Sequence, residues 1–351
     1  MSAGVRRGRR LGVAGVASCL VAATTFLVAG CGASCGDPCD PGREPQPGSD
    51  IPVTVAAALD VMPQTSWDTA YFEFGEVSRV QQLANASAKE FAAYTMVGES
   101  PLIESGQAAT DTLGFNPDTV TTAVTVGLPP HSATLLYGSF DVAEVGKKLS
   151  AAGFKQHGAA GGGTLWAIAD NDQINIQNPT MDAQLNVLDV SGDRIVFGGS
   201  TAEVEAVAKP APTDLAGNAS LAGLAECLGA AKAAVIGPEL PVVNQNPSTY
   251  IGIGLDANSA QDAGEVLCVT AASSSAASSI AASWTRQIQQ GRSEHLNQPW
   301  STVFTDPQPS ISGSSPIVVR LTAQRASGAP AGVLLEDYYS ATTDISSLIG
   351  R

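Results

Sequence analysis

The sequence predicts an α+β fold in which two mostly antiparallel sheets are each covered by helices. A run rich in β-branched residues at 121–127 and an apolar run at 133–140 indicate two strands, and the apolar spacing of residues 142–152 indicates a helix after them. A similar order returns later in the chain, with strands expected at 249–255 and 265–271. Apolar residues make up 44% of the chain and charged residues 15%, which is typical of a folded protein.

The folded body is expected to begin near Val53. An aromatic-rich run at Thr69–Gly75 predicts a strand, and the apolar spacing that follows predicts a helix at Val77–Leu83. Further helices are expected at 86–97 and at 101–113, the second of which has Pro101 near its start. The first part of the body is therefore expected to be rich in short helices.

The helix after the strand pair has clear end signals. Asp141 is a typical N-cap residue, and Gly153 is a typical stop signal. The remaining elements of this half are predicted as strands at 164–169, 185–190 and 194–199, a turn at 191–193 and a short helix at 201–208.

The second half is predicted to repeat the order β-β-α-β-β-β-α. This repetition indicates a degenerate internal duplication. The alternative is that two unrelated α+β segments share this loose order of elements. The seam is placed at 209–214, which gives halves of 53–212 and 213–351. The later elements of the second half are predicted as a helix at 275–290, a strand at 299–306, strands at 316–323 and 332–339, and a short helix at 343–350.

The N-terminal region has the pattern of an export signal. Four arginines precede an apolar stretch, Leu11–Gly30, and small residues precede Cys31. The four residues 28–31, Val-Ala-Gly-Cys, resemble the lipobox of bacterial lipoproteins. The resemblance covers residues 1–31 only, and it implies that a diacylglyceryl group is attached to Cys31 and that residues 1–30 are removed. The alternative is a plain signal peptide or an uncleaved anchor.

The resemblance also implies a cellular location. A lipid on Cys31 would hold the protein at the outer face of the cell membrane, because two acyl chains bind a bilayer stably. The general secretory route is favoured over the twin-arginine route, since Leu11-Gly12-Val13 after Arg9-Arg10 matches a twin-arginine signal poorly.

The six cysteines divide into groups with different expected roles. Residues 31–52 are expected to be a flexible, lipid-anchored tether, because 32–52 are rich in proline, glycine and charge. Cys35 and Cys39 in this tether are either a local disulfide or free thiols. A metal site is disfavoured there, because a thioether on Cys31 leaves too few ligands for zinc. Cys227 and Cys268 lie in the folded body and are predicted to form a disulfide.

Charge excludes one class of partner. Removal of residues 1–30 takes away four arginines and no acid, so the net charge falls from −15 to about −19. A chain this acidic is repelled by phosphate backbones, so nucleic acid is not expected as a partner.

No catalytic, cofactor or metal-binding residues are predicted. From Val53 onward the chain lacks the G-x-S-x-G motif of serine hydrolases, and the glycine-rich run 158–164 lacks the lysine of a phosphate loop. His131, His157 and His295 are not at metal-ligand spacing from other ligands and are expected in water.

The sequence therefore favours a non-enzymatic envelope lipoprotein. It is expected to bind an unknown protein partner or a small apolar molecule, or to act as a scaffold or sensor. The alternative is an envelope hydrolase that uses a pair of carboxylates, because with 33 acidic residues such a pair has no visible sequence signature.

Overall fold

A large antiparallel β-sheet with helices on both faces forms the folded body. The computed structural model describes residues 51–65, 71–104, 111–128, 131–169, 183–209, 211–239 and 249–351, all within the compact unit Ser49–Arg351. The strands of this part are β1 Phe72–Gly75, β2 Val120–Leu128, β3 His131–Gly138, β4 Lys155–Gly158, β5 Thr164–Ala167, β6 Val187–Val190, β7 Arg194–Gly198, β8 Ala233–Pro238, β9 Tyr250–Asp256, β10 Gly264–Ala271, β11 Arg292–Ser293, β12 Gln298–Pro299, β13 Phe304–Ser312 and β14 Ile317–Arg325.

The helices divide between the two faces of the sheet. Apolar residues of α1, α6 and α7 pack on one face, and those of α2, α5, α8, α9 and α10 pack on the other. The α-helices are α1 Val55–Val61, α2 Val77–Ala86, α3 Ala88–Phe91, α4 Ser100–Glu104, α5 Val142–Ala151, α6 Thr201–Ala208, α7 Ala219–Leu228, α8 Ser274–Gln290, α9 Val333–Tyr339 and α10 Asp344–Ile349.

Twelve strands form one continuous sheet, in the order β13-β14-β10-β9-β8-β1-β2-β3-β7-β6-β5-β4, while β11 and β12 form a small separate sheet. The prediction of an α+β fold is confirmed, but the prediction of two large sheets is wrong. The two halves join where β1 pairs antiparallel with β8, with Phe72 opposite Ile236 and Gly75 opposite Ala233. Both strands are buried along their whole length, so an unpaired edge on either would leave buried backbone groups without partners.

The strand order is repeated on either side of this junction. The order β1-β2-β3-β7-β6 on one side corresponds to β8-β9-β10-β14-β13 on the other. A helix follows the third strand in both cases, α5 after β3 and α8 after β10. This is the order that an internal duplication predicts, and the duplication itself stays a prediction.

Two elements differ in type from the sequence prediction. Residues 300–302, inside the predicted strand 299–306, form a 3-10 turn, and β13 begins at Phe304. Residues 332–339 are predicted as a strand, whereas residues 333–339 form α9. Gly332 enters this helix with a φ of 103°, a left-handed conformation that glycine adopts most readily. The apolar run Val333–Leu335 gives no clear period, and the contacts of α9 with the sheet decide its conformation.

Two local predictions are confirmed. Asp141 caps α5, because its side chain accepts hydrogen bonds from the backbone N–H groups of Ala143 and Glu144 at 3.0 Å each. Cys227 of α7 and Cys268 of β10 form a disulfide. Both cysteines are buried in the core on the α1, α6 and α7 side of the sheet.

Cys31, Cys35 and Cys39 lie outside the described residues, as does the whole segment 1–50. Among the described helices, none is both long enough and apolar enough to cross a bilayer.

Candidate functional site

Four buried carboxyl groups lie on the face of the sheet that α8, α9 and α10 cover. They are Glu73 of β1, Glu265 of β10, Asp337 of α9 and Asp344 of α10, each exposed by 3% or less. We call these four residues the acid cluster. A buried carboxylate is unfavourable unless hydrogen bonds or opposite charges compensate it. Each member of the cluster therefore requires compensating partners or must be protonated.

Glu73 has a full set of donors around it. Its Oε1 accepts hydrogen bonds from the hydroxyls of Tyr71 at 2.5 Å and of Tyr339 and Ser100 at 3.1 Å each. Its Oε2 accepts one from the N–H of Gly98 at 2.8 Å. Burial nevertheless outweighs these bonds and raises the pKa of Glu73.

The approach of Gly98 to β1 depends on the absence of a side chain. Gly98 has a φ of 92°, and a Cβ atom at this position would lie 2.6 Å from the carbonyl oxygen of Ala123. A Cβ atom on Gly75 would likewise lie 2.2 Å from the carbonyl oxygen of Val97. Glycine at both positions lets the loop contact the strand and present its N–H to Glu73.

Glu265 stands at the N-terminus of α9. It accepts hydrogen bonds from the Tyr94 hydroxyl at 2.9 Å and from the N–H of Leu334 at 3.1 Å. A carboxylate here compensates the unpaired N–H groups and the dipole of the helix end. Burial still dominates and raises the pKa of Glu265 to about 7.

The two glutamates join the same two segments. The segment 94–100 contacts Glu265 through Tyr94 and Glu73 through Gly98 and Ser100. Helix α9 contacts Glu265 through Leu334 and Glu73 through Tyr339. Each segment is therefore fastened to the sheet at two points, and every one of these hydrogen bonds ends on a carboxyl group.

Asp337 is the exception within the acid cluster. Its side chain is fully buried, and neither carboxyl oxygen has a hydrogen-bond partner among the described residues. Burial raises its pKa to about 8, with further contributions from the charges of Asp344, Glu265 and Glu336. Asp337 is therefore mostly protonated at neutral pH.

Asp344 is held by the segment before β12. It accepts hydrogen bonds from the Ser293 hydroxyl at 2.6 Å, the Glu294 N–H at 2.9 Å and the His295 N–H at 3.2 Å. These donors compensate a charge on Asp344, which lies close enough to Asp337 to oppose a charge there.

The chemistry available to the acid cluster is proton binding. Groups with pKa values of about 7 and 8 bind and release protons near neutral pH. In the described part of the chain, no group of three or more His, Cys, Asp or Glu residues is arranged to hold a metal ion.

A separate pocket of about 240 Å³ lies between the end of α1 and α6, and no member of the acid cluster lines it. Its wall includes the ion pair of Lys209 and Glu205, whose charged atoms are 2.9 Å apart. It lies at the predicted seam of the chain, among residues 63–65, 205–206, 209 and 211–213.

The three histidines have different surroundings. Nδ1 of the exposed His131 is 3.1 Å from Oε1 of Glu203, a buried residue whose Oε2 accepts a hydrogen bond from Gly199. His157 is exposed on β4. His295 donates its backbone N–H to Asp344. The contact with a buried glutamate is a feature of His131 that the sequence prediction missed.

The acid cluster was also missed by sequence reasoning. Its available signal was the placement of one or two acids inside apolar runs, as in residues 71–75 (YFEFG), 264–268 (GEVLC) and 333–339 (VLLEDYY). An acid in the middle of a buried strand requires hydrogen-bond partners. Apart from Tyr71, which lies two residues from Glu73, these partners belong to segments distant along the chain.

Comparison with known proteins gives little more. No protein-family model matches the chain, and no curated protein is similar to it. One solved structure, crystal form I of TP0453, is similar over 77% of this chain and 91% of that chain, with 11% identity and a TM-score of 0.36. A likeness at this level carries no argument about function.

Proposed function

We propose that the protein is a non-enzymatic lipoprotein of the outer face of the cell membrane. In this proposal the lipid on Cys31 anchors the chain, and residues 32–52 connect the anchor to the folded body. The body binds a protein partner or a small apolar molecule, or serves as a scaffold or sensor. The observation that carries the proposal is the sequence Val28-Ala29-Gly30-Cys31 behind an arginine-rich, apolar start.

The surroundings of the buried acids support the non-enzymatic part of the proposal. A catalytic acid or base must reach its substrate or a water molecule. Glu73 and Glu265 instead receive hydrogen bonds from Gly98, Leu334 and tyrosine side chains of the same chain. These contacts favour a structural role for both glutamates.

Replacement of Cys31 by serine tests the anchor. The wild-type protein should incorporate labelled palmitate and fractionate with membranes at its mature size. Cys31→Ser should incorporate no label, and it should be found as an unprocessed precursor or outside the cell. Cys35→Ser, four residues away, is the matched control and should behave as the wild type. A membrane-bound, mature-sized, labelled Cys31→Ser protein would contradict the proposal.

A hydrolase is the second candidate, and one observation favours it. Glu265 and Asp337 interact electrostatically and have pKa values of about 7 and 8, as acid–base catalysts often do. Product release from isolated envelope material, followed by mass spectrometry, tests this candidate. Loss of products with Asp337→Asn, but not with Glu336→Gln, would favour the hydrolase over the binding protein.

A further inference from the structure

Residues 332–351, which contain α9 and α10, lie on the face of the sheet that carries the acid cluster. We call them the C-terminal clasp. We propose that the clasp is a pH-sensitive element that loosens from the sheet as pH rises, because it buries its own acids against acids of the sheet. The apolar residues by which it packs are Val333, Leu334, Leu335, Tyr338, Ile345, Leu348 and Ile349.

Carboxyl groups take part in most of the polar attachments of the clasp; contacts of Arg351 with the Thr249 hydroxyl and of Tyr339 with the Tyr71 hydroxyl are made without one. At the start of α9, the Leu334 N–H is bound by Glu265, and at its end the Tyr339 hydroxyl is bound by Glu73. Near the C-terminus, the Ser346 hydroxyl donates to Glu239 at 2.8 Å. The clasp is therefore attached mainly through groups that gain or lose charge with pH.

Asp337 decides the direction of the pH effect. It is buried and without a hydrogen-bond partner among the described residues, so a charge on it would be uncompensated. The charges acting on it from each neighbouring element are all negative: Asp344 of α10, Glu265 of β10 and Glu336 of its own helix. No hydrogen bond inside the cluster can offset deprotonation of this residue.

Other charged and titratable groups lie close to the clasp without reversing this balance. Arg351 is paired with Glu239 at 2.5 Å, and Arg325 is paired with Glu90 at 2.6 Å. Tyr94 binds Glu265, while burial and the charge of Glu73 raise the pKa values of Tyr338 and Tyr339. The remaining nearby groups are Glu294, whose carboxylate is 3.4 Å from the Thr343 hydroxyl, and His295, which contacts Asp344 through its backbone.

The sign and size of the effect follow from linkage. A carboxyl whose pKa is higher in the closed clasp than in the open one favours closure in acid, and this advantage is lost as pH rises from the open to the closed value. We take pKa values of about 8 for Asp337 and about 7 for Glu265 in the closed clasp, and ordinary values of 3.8 and 4.5 in the open one. From pH 6 to 8, the equilibrium constant for opening of the clasp should then rise about 50-fold through Asp337 and about tenfold through Glu265. The two effects together give about 500-fold.

Hydrogen exchange followed by mass spectrometry on the full chain tests the proposal. Labelling times at pH 6 and pH 8 are scaled for the intrinsic pH dependence of amide exchange. Peptides from 332–351 should lose protection by up to about 500-fold, while peptides from β2 and β3 should change little. Equal protection of the clasp at both pH values would overturn the proposal.

Variants assign the effect to individual carboxyl groups. Asp337→Asn should leave only about a tenfold change. Glu336→Gln, at an exposed neighbour, removes the weakest of the three charges that act on Asp337 and should keep most of the wild-type response. If Asp337→Asn fails to fold, Glu265→Gln replaces it in the test, because glutamine keeps an acceptor for Tyr94 and Leu334. That variant should leave about a 50-fold change. A full wild-type pH response in the variant tested would overturn the assignment.

Discussion

Reduction of the Cys227–Cys268 disulfide should destabilise the whole sheet, not only the part nearest to it. The bridge joins α7 to the middle of β10 and closes a loop across 41 residues of sequence. Loop-closure entropy predicts a stabilisation of about 4 kcal/mol for a loop of this length. The nearby Arg320 guanidinium also donates to the carbonyl of Cys227, which links the end of α7 to β14.

The structure extends this prediction beyond the second half. Strand β8 follows α7 in the chain and pairs with both β9 and β1. Loosening of α7 should therefore weaken the junction between the halves as well. We expect a single unfolding transition, shifted to lower urea, instead of a separate early transition for the residues after 213.

Urea unfolding with and without reductant measures the effect. In a Trp67→Phe, Trp166→Phe background, tryptophan fluorescence reports the second half through Trp284 and Trp300, which are both buried. Far-UV circular dichroism reports the whole sheet. A Cys35→Ser, Cys39→Ser protein is the control and should show the same reductant-dependent shift. An unchanged unfolding midpoint, with reduction of Cys227 and Cys268 verified by mass spectrometry, would refute stabilisation by the disulfide. Two separate transitions would refute the claim that its loss weakens both halves of the sheet.

Two further predictions concern single positions. Gly237→Ala should destabilise the protein by about 1–3 kcal/mol, because the new Cβ would lie 2.2 Å from the Tyr338 hydroxyl; urea unfolding measures the loss, and a neutral result would contradict this packing. His131→Ala should cost about 1 kcal/mol through its lost contact with Glu203, whereas His157→Ala and His295→Ala should stay near neutral in the same assay. Loss of a biological phenotype in a correctly folded histidine variant would count against the non-enzymatic proposal.

The sequence predicted those parts of the fold that depend on nearby residues. The Asp141 cap is set by residues two and three positions away, and strand and helix patterns extend over about ten residues. The disulfide was predictable because the folded body contains only Cys227 and Cys268. The anchor motif at Cys31 was a pattern of four residues, and its role stays a prediction.

The joining of the halves depends on residues that are far apart in sequence. Phe72 and Ile236 pair across 164 positions, and nothing in either strand indicates its partner. Both strands are buried on both faces, so the sequence of each is compatible with the centre of a separate sheet. The α9 segment was missed for a related reason, since its contact with Glu265 lies 69 residues from Leu334.

The different surroundings of the buried acids indicate which of them can tolerate a charge. Glu73 receives hydrogen bonds from two tyrosines, a serine and a backbone N–H, and Glu265 receives them from Tyr94 and Leu334. Such donors strengthen as the acceptor becomes charged, so deprotonation of either glutamate is partly compensated. Asp337 has no such donor among the described residues. Its protonation therefore limits how firmly α9 can stay on the sheet, and Asp337→Asn should alter the pH response more than Glu265→Gln does.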